Sequence, residues 1–137
     1  MQDGKRNQIV HYLLNIGIII LLFLGAFFGT RPPHVTISEN YIKISGFYGV
    51  ELRMEDIEQL EIRESLPRIV TRTNGLDWFG IAKRGIYELE ELGRTRLISF
   101  STGGPFILMY TRNEWIVINF KDPGETESLY RELVAAV

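Results

Sequence analysis

The hydrophobic pattern changes character near the chain's thirtieth residue and again near its end. Residues 9–28 form a twenty-residue run with no formal charge, rich in Ile, Leu and Phe. At ~1.5 Å rise per residue, a helix of this length spans the ~30 Å hydrocarbon core of a bilayer. A secretory signal would need a shorter apolar stretch and small residues before its cleavage point. The aromatics in Gly25-Ala26-Phe27-Phe28-Gly29 spoil that cleavage pattern, so an uncleaved anchor is the reading taken.

Beyond Arg31-Pro32-Pro33, which ends any helix and holds the chain stiff and extended close to the bilayer, apolar residues alternate with polar ones. Val35 and Ile37, Ile42 and Ile44, Val50, Leu52 and Met54, then Leu60 and Ile62 follow a period of two, which predicts half-buried strands. Residues 106–111 and 115–120 are nearly continuous in apolar and β-branched side chains, as central strands are, and Arg112-Asn113-Glu114 makes them a hairpin. Turns are expected at Glu39-Asn40, between Gly46 and Gly49, at Asn74-Gly75, at Gly93 and at Gly103-Gly104. The last segment returns to a helical period. Asp122 can cap, Pro123 suits the first helical position, Glu125 completes a capping box, and Leu129, Tyr130, Leu133 and Val137 share a face.

Seven or eight short strands followed by one amphipathic helix predict a mainly β domain, a small barrel or sandwich whose open end the helix plugs. A chain of 137 residues has room for one such core, giving a membrane anchor over residues 1–31 and a β domain over residues 32–137.

Composition narrows the chemistry. With no cysteine, there is no disulfide, thiolate metal site or cysteine nucleophile. From residue 32 onward, twelve Lys/Arg stand against sixteen Asp/Glu, a balance of -4 that argues against nucleic acid as a partner. Lys5 and Arg6 before the helix are matched by Arg31 and Lys43 after it, so the flanking charges tie; the short leading segment and its free amine tip the expectation towards an extracytoplasmic domain. Within the helix, His11, Ile18, Leu22, Gly25 and Gly29 share a face with Asn15 at its margin. Gly25-x-x-x-Gly29 has the spacing of close helix packing, although glycine is also ordinary in membrane helices.

Several short pieces in a fixed order carry a family resemblance: Ile44-Ser45-Gly46-Phe47-Tyr48-Gly49, Asp56-Ile57-Glu58-Gln59-Leu60, Leu66-Pro67, Arg72-Thr73-Asn74-Gly75, and the closing Glu125-Thr126-Glu127-x-Leu129-Tyr130-x-x-Leu133. Together they resemble bacterial pleckstrin-homology-like (PH-like) domains over residues 35–137. The resemblance implies two near-orthogonal antiparallel sheets with a C-terminal helix, and brings no agreed ligand or reaction. Eukaryotic pleckstrin-homology domains that bind phosphoinositides use basic residues on the first hairpin, whereas the corresponding turn here, Ser38-Glu39-Asn40-Tyr41, is short and carries an acid.

The candidate interaction surface lies in residues 68–84, where Arg68, Arg72, Lys83 and Arg84 bracket the adjacent aromatics Trp78 and Phe79. Such a tip suits an anionic group or a protein partner, while the plainer reading divides the two rings between core and surface. Gly75, Gly80 and Gly85 precede no Gly-Lys-Ser/Thr and are read as turn and bulge glycines rather than a phosphate cradle. Glu88, Glu90 and Glu91 read as a solvated hairpin tip, not a cation loop. His34, the only histidine beyond the apolar run, has no partner marked for catalysis. The expectation is a membrane-tethered binding module for an unknown protein or for itself, with a lipid or anionic ligand as the alternative. No enzyme activity, cofactor, metal or small-molecule ligand is expected.

Overall fold

The computed structural model describes residues 2–29, 34–46, 48–78 and 82–137. Arg31-Pro32-Pro33, read above as a stiff connector, lies outside the described residues. The chain packs as two units, Met1–Arg31 and Pro32–Val137.

The first unit is one helix, α1 (Gln2–Gly29), with an apolar window long enough to cross a bilayer and none of it buried by protein. In water, so many exposed Ile, Leu and Phe side chains would be costly, because each loses ~1.5–3 kcal/mol relative to a buried position. That cost vanishes in hydrocarbon.

The second unit contains nine strands among its described residues: β1 (Val35–Ile37), β2 (Tyr41–Ile44), β3 (Val50–Arg53), β4 (Gln59–Arg63), β5 (Ile69–Trp78), β6 (Ala82–Leu89), β7 (Gly93–Ser99), β8 (Phe106–Tyr110) and β9 (Trp115–Asn119). A 3-10 turn at Met54–Asp56 follows β3, so Met54 ends the alternation there as a buried turn residue. The chain closes with helix α2 (Pro123–Ala136). The domain is mainly β with a terminal helix, as the pattern predicts.

Strands β1, β2 and β3 form a small antiparallel sheet in which Ile42 faces Leu52 and Ile44 faces Val50. Tyr41 and Lys43 point the other way, to solvent. The remaining six strands form one sheet in the order β4-β8-β9-β7-β6-β5. As their near-continuous apolar character predicts, β8 and β9 lie inside the sheet and are buried on both faces. Ile98, Ile107, Met109, Ile116 and Ile118 face one core, which also holds Ile42 and Ile44 from the small sheet, Met54 from the 3-10 turn, and Leu129 and Leu133 from α2. Leu97, Phe106, Leu108 and Val117 face a second core with Tyr87, Leu66, Ile69, Leu92 and Trp115.

Three expectations need correction. The barrel is not closed: β4 and β5 are the two free edges of the large sheet. Nor are both sheets antiparallel, because β7 and β9 pair in parallel, Ser99 opposite Asn119. The loop at residues 100–105 carries the chain past β9 to β8, and the tight β8–β9 hairpin then returns β9 into the gap beside β7. Finally, Asn74-Gly75 is not a turn but lies inside β5, where Gly75 stands opposite Gly85. Both glycines have positive φ, 156° and 153°, and the ladder shifts register between Arg72 and Asn74. A Cβ on Gly75 would come within 2.5 Å of the Arg84 carbonyl oxygen, so glycine serves a bulged, close strand approach here.

At α2, the Asp122 carboxylate accepts from the Gly124 N–H at 2.9 Å, the second helical position, instead of closing a capping box on Glu125. Thr126, fully buried, accepts from the Phe120 N–H at 2.9 Å and ties the first helical turn to the end of β9. Leu129 and Leu133 enter the core, Tyr130 packs beside it, and Val137, beyond the last turn, is exposed.

Candidate functional site

The two edges of the large sheet are consecutive in sequence, and that sets up a pocket. From Arg63, the end of β4, to Ile69, the start of β5, the chain has six steps, at most ~21 Å of reach. Across a flat six-stranded sheet the same two edges would lie at least ~24 Å apart. The sheet must therefore curl towards residues 64–68, which cross its second face as a strap. Leu66 and Ile69 are half-buried against Leu97, Phe106, Leu108 and Val117, which holds the strap down.

Under the strap is a cavity of about 300 Å³. Its walls are residues 64–67 on one side and residues 101–104 on the other; its floor comes from Lys83, Leu89, Leu97, Ser99 and Phe106. The two walls meet at Gly104, where a Cβ would collide with the Glu64 carbonyl.

The loop wall is fixed by Asn119, a fully buried amide at the end of β9. Asn119 Oδ1 accepts from the Phe100 N–H at 2.9 Å and from the Ser99 hydroxyl at 3.0 Å. Its Nδ2 donates to the carbonyls of Ser101 and Gly103, each at 3.1 Å. The Phe100 amide can only donate, which fixes the orientation of the side chain and leaves it fully satisfied. Ser99 Oγ also lies 2.8 Å from the Ser101 carbonyl, and its single proton goes to that oxygen or to Asn119 Oδ1, so either way it is committed to the wall. Ser101 Oγ accepts from the Gly103 N–H at 3.2 Å, leaving its own proton available to a guest.

The basic residues singled out from sequence do not converge on one face. Lys83 and Arg84 are neighbours on β6 and point to opposite sides of the sheet, as strand geometry requires. Lys83, opposite Ser99, lines the cavity. Arg84 is only 7% exposed, with its guanidinium 4.2 Å from the centre of the Phe100 ring. Burial pushes the Arg84 pKa down from its ordinary value. Arg72 is exposed on β5, and Arg68 is exposed at the end of the strap, its Nε 3.9 Å from Glu90. Trp78 pairs with Ala82 through the backbone; its side chain, and all of Phe79, lie outside the described residues.

Sequence reasoning passed over Ser99 and Asn119, although a signal was present. Each is a polar residue in an otherwise apolar run, Leu97-Ile98-Ser99-Phe100 and Ile116-Val117-Ile118-Asn119-Phe120. A polar side chain at an interior position demands partners, and here the partners build a wall.

A second polar cluster joins the small sheet's loop to the large sheet. Glu114 lies 2.9 Å from Arg96 Nε and 3.5 Å from Arg94 Nε, and Arg96 Nη1 donates to the Tyr48 carbonyl at 3.3 Å. Among the described residues, no group of three or more His, Cys, Asp or Glu is placed to hold a metal ion.

These features define a mainly β domain of two sheets and a terminal helix, preceded by a helix of membrane-spanning length, with a strapped pocket on the larger sheet. No family model, curated protein or solved structure matches the chain.

Proposed function

We propose that this chain is a membrane-tethered, PH-like binding module that works by recognition and not by catalysis. The tether is α1, whose unburied apolar window calls for hydrocarbon. Two sheets and a C-terminal helix sharing one core support the PH-like reading; the parallel β7–β9 pair is a departure from two purely antiparallel sheets. The observation that carries binding is the cavity under the strap, where Lys83 and hydroxyls border an apolar floor. A few polar groups placed in an apolar concavity are what small-ligand sites share. This favours an anionic ligand.

A protein partner or a second copy is the other reading, favoured by the free edge of β5, where Val70 is 60% exposed and Thr71, Arg72 and Thr73 are exposed beside it. Alkaline extraction of membranes tests the tether. The full chain should stay with the bilayer while a chain lacking residues 2–29 is released; release of both would overturn the reading. Replacing the exposed edge residue Val70 with Lys tests the protein-partner reading: self-association measured by cross-linking should be lost with the fold intact, and unchanged cross-linking would count against it.

A further inference from the structure

We infer that the pocket under the strap takes a small amphiphilic monocarboxylate, with its carboxylate towards Lys83 and Ser101 and its aliphatic part against Leu66, Leu97 and Phe106. The inference rests on the binding reading above and specifies the ligand at that site. It also departs from the expectation, drawn from sequence, that no small molecule is bound.

Size sets the first limit. A cavity of about 300 Å³ corresponds to the room of about ten water molecules, hence a guest of about ten to fifteen heavy atoms. Charge sets the second. Lys83 is half-buried and has no ion pair with a described side chain; Asp77, opposite it in the β5–β6 ladder, has its side chain outside the described residues, and Glu64, the other charged residue on the lining, is exposed. Solvent screens Glu64 more than Lys83, so the interior favours an anion. Lys83 is the single cation on the lining, beside the hydroxyls of Ser65, Ser101 and Thr102, and one ammonium matches a single negative charge better than a dianion.

The apolar remainder sets the third limit. Leu66, Pro67, Ile69, Leu89, Leu97 and Phe106 form the apolar part of the lining, which suits a hydrocarbon remainder on the guest. An aliphatic acid of about eight to ten carbons satisfies all three limits.

The test uses the full chain in phosphatidylcholine nanodiscs and carboxyl-labelled octanoate as the probe, with empty nanodiscs as the reference, read by NMR titration. Saturable binding of one octanoate per chain is expected. Lys83→Gln should weaken it by about tenfold or more, the scale of one charge-assisted hydrogen bond, and Lys83→Arg should retain most of it. Glu64→Gln should leave it equal or tighter. Absence of saturable binding beyond that of empty nanodiscs would overturn the inference. So would equal binding of octanol or octylammonium, unchanged binding by a folded Lys83→Gln chain, or displacement of octanoate by a much tighter acetylated dipeptide acid. Membrane extraction distinguishes the failures: a chain that resists alkali yet ignores octanoate keeps its tether and loses only this ligand.

Discussion

Ser99 and Asn119 stand opposite each other in the parallel β7–β9 pair, and the Ser99 hydroxyl meets Asn119 Oδ1 at 3.0 Å. This contact sits where the chain leaves β7 and passes over the end of β9, so a side-chain amide supplies the partners that the crossing backbone cannot find in a ladder. The loop that it holds is also a wall of the pocket.

Asn119→Ala should therefore be costly. It strips partners from the Phe100 N–H and from two carbonyls in a buried setting, and a loss of about 2–4 kcal/mol is expected. The denaturation midpoint of the full chain in detergent measures it.

Asn119→Asp should show a pH dependence of definite sign. The new carboxylate could still accept from Phe100 and Ser99 but would face the Ser101 and Gly103 carbonyls when charged. Burial and those carbonyls would raise its folded-state pKa above the unfolded value. Its contribution to stability is then fully present below the unfolded pKa and is lost as pH rises through the folded one. The variant should stand closer to the parent at pH 4 than at pH 7 in paired melts; a constant gap would show that the carboxyl does not feel the loop.

Gly104→Ala should separate the pocket walls. The added methyl has no space against Glu64 backbone, where the carbonyl carbon would be only 2.6 Å away, so strap or loop must shift. About 1–3 kcal/mol of stability should be lost, the usual range for overpacking. Gly103→Ala, whose nearest neighbour would be 3.9 Å away, is the matched control and should cost less.

Leu133→Ala tests whether α2 belongs to the core. Leu133 is fully buried among residues of both sheets, and truncation should cost about 2–5 kcal/mol, whereas Val134→Ala on the exposed side should change little. Equal midpoints for the two variants would mean that the helix is dispensable.

The Arg96–Glu114 pair should tie β7 to the β8–β9 turn within the large sheet, and it holds the guanidinium that donates to the Tyr48 carbonyl of the small sheet's loop. Both side chains are largely shielded, 22% and 12% exposed, so a double-mutant cycle with Arg96→Met and Glu114→Gln should give about 0.5–2 kcal/mol of interaction. A value near zero would place the pair with ordinary surface ion pairs.

Much of the architecture was legible because its signals are local. The uncharged run at residues 9–28, the alternation through Ile42, Ile44, Val50 and Leu52, and Asp122-Pro123 ahead of Leu129 and Leu133 each show within a few residues which side of an element must leave water. Partner choice is different, because a strand's period is the same whichever strand it joins. Nothing in Leu97-Ile98-Ser99 announces a parallel neighbour, and nothing in Leu66-Pro67 announces a strap over a curled sheet. Asn74-Gly75 has the composition of a hairpin turn, yet the approach of Gly85 from the next strand drew it into a bulged ladder. Lys83 and Arg84 read as one basic patch in the linear order, and the pleat sent one into the cavity and the other onto Phe100. Periodicity reports which faces seek burial. Where the walls of a site meet depends on contacts between residues far apart in the chain, and those exist only once the sheet has closed over its own connecting segment.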